Sequence, residues 1–421
     1  MGDHPFSLRL VHPLIITICF FVSCISLNSF ASTQQGNSSV NPSVTGSFVT
    51  GSFDSRLKSI EKSFVETQDW PRFIAESQSL IAEQPDNLTQ VVSVLETISR
   101  HVTPASDLDP KESGDAAGQF LTSLADKITG QSAVNGTGAT ETSFRAIIAL
   151  KNAGNRWELI GEKSAARLLL ASATIARNLA NNPAFPSQNR PGLAPYVLAE
   201  ARAHALLGNS DGAAESVRTA LEWGLVDFEQ VIDDPVLCKT QQFETIRQLA
   251  ADHRQQYCSK IRGPIRSAIA GFRPFNFDFS LAGRNARRVS KTDFPSEVLV
   301  VDLWATWCSP CRASVPHLNR LHDEYSARGV KVLGIAFEQG SSTSANQTQL
   351  DKFVKQNQVR YMCLLGDDTI QGQIPGKGGM PTLVFINRQG QVRFCTSGFH
   401  DYSQISTIVE ELLVENQDEQ E

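Results

Sequence analysis

The chain of 421 residues carries no surplus of positive charge: 38 Lys and Arg stand against 44 Asp and Glu, a formal net charge of −6. That removes the electrostatic footprint by which nucleic acids are held, and no nucleic-acid partner is expected. A membrane-spanning helix needs roughly twenty apolar residues. The stretch Leu14–Leu27 offers only about fourteen largely apolar ones. Phosphate-binding loops are missing too, because Gly376-Lys-Gly-Gly379 lacks the strand–loop–helix setting of a P-loop. A second Cys-x-x-Cys is absent. Zinc sites built on such a pair need two further ligands, and His317 and His322 follow Cys311 too soon for a finger's spacing of about 12–15 residues. No metal is expected, and both histidines read as solvated. What remains, 41% apolar and 19% charged, is ordinary globular material long enough for two or three domains.

The one Cys-x-x-Cys that is present decides the chemistry. Cys308-Ser309-Pro310-Cys311 follows an apolar, β-branched run, Val298–Trp304, and precedes a helical pattern that lasts to Tyr325. A strand that delivers two cysteines to a helix N-terminus suits thiol–disulfide exchange. The first sulfur lies where unpaired backbone N–H groups and the helix dipole favour negative charge. The second lies one turn on, within reach of a mixed disulfide formed at the first.

Asp302-Leu-Trp-Ala-Thr-Trp-Cys-Ser-Pro-Cys-Arg312 resembles the active-site signature of the thioredoxin superfamily, in wording closest to its extracytoplasmic TlpA/ResA-like branch. Pro316 inside the helix, Met380-Pro381-Thr382 before the strand Leu383–Ile386, Gly390 in a hairpin turn and Gly398 after the next strand fall in the family's order. The resemblance covers residues 272–421. It implies a thioredoxin fold, a central mixed β-sheet flanked by helices, with a final helix from about Ser403 to Val414; separately, the acidic residues that crowd the chain's end, Glu410 and Glu411 among them, read as a solvated tail. It implies Cys308 as the nucleophile, exposed beside Trp307, and Cys311 as the buried resolving cysteine, with no cofactor beyond the redox-active disulfide Cys308–Cys311. Asp302 matches the buried aspartate of thioredoxin, where the ResA-like branch commonly has Asn, and is expected to take the proton of Cys311 with a raised pKa. Glu338, after the strand Val330–Phe337, resembles the ResA-like glutamate, and two carboxylates in one site would couple. Met380-Pro381 is expected in cis facing Cys308, and Trp307 as an apolar contact for substrate. The family's Glu after Cys-x-x-Cys-Arg is replaced by Ser314.

Upstream the pattern changes. A weakly basic start, the apolar stretch and small residues at Ser29 and Ala31 read as a signal peptide over 1–31, or an uncleaved anchor. The protein is therefore expected outside the cytoplasmic membrane, where disulfides persist. Residues 32–54, rich in Ser, Gly, Asn, Gln and Thr, read as a flexible linker. Residues 55–262 carry helical periodicity, with helices at Leu88–His101, Glu141–Asn155 and Glu162–Asn181, and loops over 102–116 and 129–140. Tyr196–Glu222, broken at Leu207-Gly-Asn-Ser-Asp211, resembles one tetratricopeptide (TPR) repeat, in which Ala201, Ala205, Ala213, Val217 and Ala220 let paired helices approach closely. His204 replaces the usual aromatic and no proline closes the repeat, so a plain helical bundle stays open. A TPR-like surface would take a peptide or protein ligand.

Cys238 with Cys258, and Cys363 with Cys395, are pairings that parity allows and sequence does not prove; buried thiols are the default. Three functions follow. The first is an exported thiol–disulfide oxidoreductase that reduces protein disulfides and is recharged by an electron donor at the membrane. The others are a TPR-type scaffold with a secondary redox head, and a thiol peroxidase using Cys308.

Overall fold

In the computed structural model, residues 52–102, 112–131, 137–283, 288–375 and 379–418 are described. The expected signal peptide, almost all of the linker, residues 103–111 and 132–136 of the two expected loops, Gly376-Lys-Gly378 and the last three residues lie outside them. The chain divides into two compact units between Ser259 and Lys260. Among the described residues, no helix is long and apolar enough to cross a membrane.

The first unit is helical: α1 (Phe53–Thr67), α2 (Trp70–Ala82), α3 (Leu88–His101), α4 (Glu112–Gln131), α5 (Thr137–Gly154), α6 (Trp157–Ile160), α7 (Glu162–Asn181), α8 (Ala194–Leu206), α9 (Ser210–Glu222), α10 (Glu229–Ile232) and the start of α11 (Phe243–Ala270). Side chains of Ser52, Asp69, Asn87 and Asn209 accept backbone N–H groups at the starts of α1, α2, α3 and α9, fixing where those helices begin. The α8–α9 hairpin turns at Gly208, whose φ of 75° suits glycine, and it buries Ala201, Ala213, Val217 and Ala220. Both expected loops are shorter than the sequence suggested, because α4 and α5 extend into them. Gly118 within α4 admits a close neighbour: a Cβ there would meet the Ile160 carbonyl oxygen at 2.8 Å. The stripe Phe120, Leu121, Leu124, Ala125 and Ile128 is buried, and its packing outweighs the helix's weak local propensity.

The second unit holds a hairpin of β1 (Ser280–Ala282) and β2 (Arg288–Ser290). Its five-stranded mixed sheet has β3 (Val298–Trp304), β4 (Val330–Ala336), β5 (Met362–Leu365), β6 (Thr382–Ile386) and β7 (Val392–Ser397) in the order β5-β4-β3-β6-β7. The first three strands run parallel, while β6 and β7 join antiparallel. Every residue of β3 is buried, as its near-continuous apolar run requires of a central strand. Alternation sorts its side chains. Leu299, Val301 and Leu303 pack with Phe277, Phe279 and Ile370 of the hairpin side, where α14 (Asp368–Gln371) lies. Val298 and Val300 pack beneath α12 (Ser309–Tyr325) and α15 (Tyr402–Asp418). Helix α13 (Thr343–Gln356) contributes Leu350 and Phe353 against Trp304.

Several expectations change here. Cys363 on β5 and Cys395 on β7 occupy opposite edges of the sheet, roughly 19 Å apart at the usual strand spacing, so the pairing the sequence left open is excluded; both are free thiols, as the default had it, but half-buried rather than buried. Cys238 and Cys258 form no disulfide either. Glu410 and Glu411 are not tail residues: α15 continues past them, Glu410 meets Arg328 and Tyr325, and buried Glu411 meets Arg266. His317 is buried on the inner face of α12, its ring edge-on to Phe399 at 5.4 Å.

The last turns of α11 pack in this unit: Ile269 is buried in its core beside Ile265, and Arg266 reaches Glu411. Losing one such isoleucine costs about 2–5 kcal/mol. A fragment 260–421 is therefore expected to melt at a higher temperature than 272–421. Equal midpoints by circular dichroism would contradict this packing.

Candidate active site at the single Cys-x-x-Cys

Cys308 caps α12 and Cys311 lies in its first turn, the two joined by a disulfide with a Cα–Cα distance of 5.3 Å. Pro310 is accommodated in that first turn because the N–H it lacks has no partner within a helix. The Cys311 N–H, one of the amides of the helix terminus, points at the Cys308 sulfur, 3.3 Å away. The expected exposure of Cys308 is not found. In the disulfide it is 5% exposed against none for Cys311, and the open surface belongs to Trp307 at 51%. Trp307 thus stands at the rim. The Trp307 indole N–H donates to the Phe337 carbonyl at 3.2 Å, which fixes the ring beside the motif.

Met380-Pro381 is cis. Met380 packs against the cluster that contains Cys308, Cys311, Val315 and Trp304, so the loop and the cysteines share one site. Pro381's carbonyl accepts from the Gly398 N–H at 2.8 Å, and the Thr382 hydroxyl donates to Gly379 at 2.6 Å, anchoring both ends of the loop.

Asp302 is fully buried, and neither carboxylate oxygen has a hydrogen-bond partner. It lies on the α12 face of β3, between Val300, which packs with Leu318, and Trp304, which packs with Cys311. The residue is thus beneath the helix that carries Cys311. Burial, which penalises the charged form, pushes its pKa up to about 8.

Glu338 takes a different place. Its two oxygens accept the Thr306 N–H at 2.8 Å and the Thr306 hydroxyl at 2.7 Å, and Gln349 donates to both side chains at 2.9 and 2.6 Å. Its carboxylate is turned to the turn just before Trp307, holding the backbone that leads into Cys308. The rise in Asp302 comes from burial, without a contribution from Glu338. Sequence reasoning missed Thr306 and Gln349. Thr306 stood inside the recognised motif, while Gln349 gave no signal, because only the fold brings α13 beside that turn. Tyr361 was missed as well. It is buried, its hydroxyl has no partner, and its pKa is driven well up by burial and by the charges of Asp302 and Cys363.

Residues 276–395 match the AhpC/TSA family. Among similar proteins, thiol-disulfide oxidoreductase ResA of Geobacillus thermodenitrificans is 24% identical over 121 residues, 29% of this chain and 66% of that protein. ResA of Bacillus subtilis is 25% identical over 131 residues, 30% of this chain and 70% of that protein. Thiol:disulfide interchange protein DsbE of Pseudomonas aeruginosa is 28% identical over 157 residues, 36% of this chain and 81% of that protein. The chain thus spans just under two thirds of the first of these ResA proteins. Two solved structures are similar: a thioredoxin-family thiol:disulfide interchange protein from Chlorobium tepidum (24% identity, 34% of this chain, 98% of that one, TM-score 0.30) and StoA from Bacillus subtilis (19%, 31%, 96%, TM-score 0.26).

The raised pKa of Asp302 makes it a stability reporter. The folded state holds its proton to about pH 8, whereas an unfolded aspartate releases it near 3.9. Between those values the native state binds more protons than the unfolded state, so stability falls as pH rises through the window. Asp302→Asn should match the wild type below about pH 4 and gain on it progressively to about pH 8, by up to several kcal/mol. Denaturant titrations across pH check this; a constant difference would contradict it.

Proposed function

From the premise that residues 276–395 form an AhpC/TSA-type thioredoxin-fold domain whose relatives are ResA and DsbE thiol–disulfide oxidoreductases, we propose that this chain exchanges disulfides with protein substrates through Cys308 and Cys311, in the reducing direction. The observation that carries the reading is the placing of both sulfurs at the N-terminus of α12, directly over a buried, unpartnered carboxyl. In the reduced protein the Cys308 thiolate attacks a substrate disulfide, one substrate sulfur leaves as a thiolate, and a mixed disulfide forms. In molecules where Asp302 has first released its own proton, the carboxylate takes the proton of Cys311, which attacks the Cys308 sulfur. The second substrate thiolate leaves, and the protein is left with the Cys308–Cys311 disulfide. Two electrons pass from protein to substrate, and an upstream dithiol donor restores them.

Glu338, through Thr306, positions the turn that presents Cys308, and Trp307, Met380 and Pro381 form the substrate-facing rim. The pattern of residues 14–31 supports export, with the donor at the membrane. The α8–α9 hairpin, with its buried alanines, supports a TPR-like role for the helical unit in holding a protein partner.

Cys308→Ser should abolish insulin reduction, because a serine hydroxyl is far too weak an acid to replace a thiolate. Cys311→Ser should retain the attack and accumulate a substrate bound covalently at Cys308, visible by mass spectrometry. If Cys311→Ser traps nothing, or peroxide rather than a protein disulfide is turned over, the reading fails.

A further inference from the structure

Helix α13 lies in the crossover from β4 to β5, and four of its residues, spaced as one helical face, meet the cysteine site. Leu350 and Phe353 form the apolar end of that face, packed in the cluster that holds Trp304, Cys308 and Cys311. Asn346 and Gln349 form the polar end. Asn346 shapes the segment after β4, accepting the Gly340 N–H at 2.7 Å and donating to the Glu338 carbonyl at 3.4 Å. The glycine makes room for this, because a Cβ at 340 would collide with Asn346 Oδ1. Gln349 acts one turn further on. Its Nε2 donates both to Thr306 Oγ1, at 2.6 Å, and to Glu338 Oε2, at 2.9 Å. With the N–H and hydroxyl of Thr306, the Glu338 carboxylate therefore receives three donors. Thr306 stands two residues before Cys308, in a turn closed by the Cys308 N–H on the Ala305 carbonyl at 3.2 Å. Two Cα steps span at most about 7.6 Å, so the Glu338 charge acts on the nucleophile across a distance on the order of one Debye length. A carboxylate at that range disfavours a thiolate, and each donor it accepts offsets part of its charge.

We propose that Gln349 is a positioning residue for the nucleophile: by clamping the Glu338 carboxylate to Thr306 it keeps that charge engaged, and so sets the acidity of the Cys308 thiol. The inference rests on the disulfide-exchange reading for its purpose, while the clamp itself is independent of that reading. Gln349 touches neither sulfur and acts only through Glu338 and Thr306. The other elements packed around the motif bring few charges. Helix α12 carries Cys311 and Arg312, whose guanidinium rests over the Phe353 ring at 5.9 Å. Strand β3 brings Asp302, fully buried beneath the helix, and β5 brings the half-buried Cys363. The loop before β6 brings Met380, which is uncharged. Asp351 and Lys352, the charged neighbours on α13, are exposed. Glu338 is thus the carboxylate tied to the turn that leads into Cys308, and Gln349 is the one donor to it that comes from outside that turn. Removing that donor leaves Oε2 with the Thr306 hydroxyl alone. More of the negative charge is then felt at Cys308, and the thiol becomes a weaker acid.

The variant is Gln349→Leu, similar in size and without a donor; Gln349 is exposed and leucine is a good helix former, so the fold tolerates the exchange. The full-length protein is reduced, and alkylation of Cys308 by iodoacetamide is followed by peptide mass spectrometry across the pH range. Only the thiolate reacts, so the low-pH limb of the rate profile reads acidity and the high-pH plateau reads access. On the low-pH limb Gln349→Leu should react about threefold more slowly than the wild type, and the two should meet at the plateau. Glu338→Gln, which removes the charge and keeps the length of the side chain, should react faster than the wild type on the same limb. In that background Gln349→Leu should change nothing further. A residue that merely held α13 in place would instead alter the plateau, and by the same factor in both backgrounds. Equal low-pH rates for the wild type and Gln349→Leu overturn the proposal. So does a slower Glu338→Gln, or a loss that persists once the charge is gone. Insulin reduction by the same proteins separates the two readings: a wild type that shows this alkylation pattern but reduces no disulfide keeps the positioning role and removes the function it serves.

Discussion

A carboxyl group without a partner, sealed inside the sheet, is the constraint on which the second unit turns. An isolated buried carboxylate costs several kcal/mol, and the group escapes that cost by staying protonated. Asp302 does so up to about pH 8. Such a residue weakens the fold at neutral and higher pH, and nothing in the packing of β3 requires it, since every neighbour along that strand is apolar. Its justification is positional. It sits under the first turn of α12, which carries Cys311.

The surrounding structure divides the remaining work. The N-terminus of α12 directs the Cys311 N–H at the Cys308 sulfur, while the Glu338–Thr306–Gln349 network pins the turn that leads into it. Met380 closes the site from the loop before β6, and Trp307 stands at its rim. Glu338 therefore holds the turn at Thr306 in place.

Legibility in the sequence followed the range of the determining interactions. Leu88–His101 and Glu162–Asn181 could be read to the residue, because the first is capped by Asn87 and both carry clean helical stripes. The apolar run of β3 and the Cys-x-x-Cys that follows placed the site, and burial of Asp302 followed from its apolar neighbours. Helix α4 was obscured by its glycines, whose purpose becomes clear only once Gly118 meets Ile160. The fate of Cys363 and Cys395 depended on strand order, which spacing does not encode. Glu410 and Glu411 looked like tail until the basic residues of α11 and the segment after α12 came alongside. Tyr361 had no local signature at all: its burial beside Gly334 arises only when β5, the next strand in the chain, pairs with β4.

The central claim is that the protein keeps a neutral carboxyl beneath its cysteines at physiological pH. Carbon-13 NMR of the aspartate side-chain carboxyls, with Asp302 assigned through the Asp302→Asn variant, measures this directly. The account predicts a titration midpoint near 8 in the oxidised protein. A midpoint near 4, the ordinary range for a solvated aspartate, would contradict it.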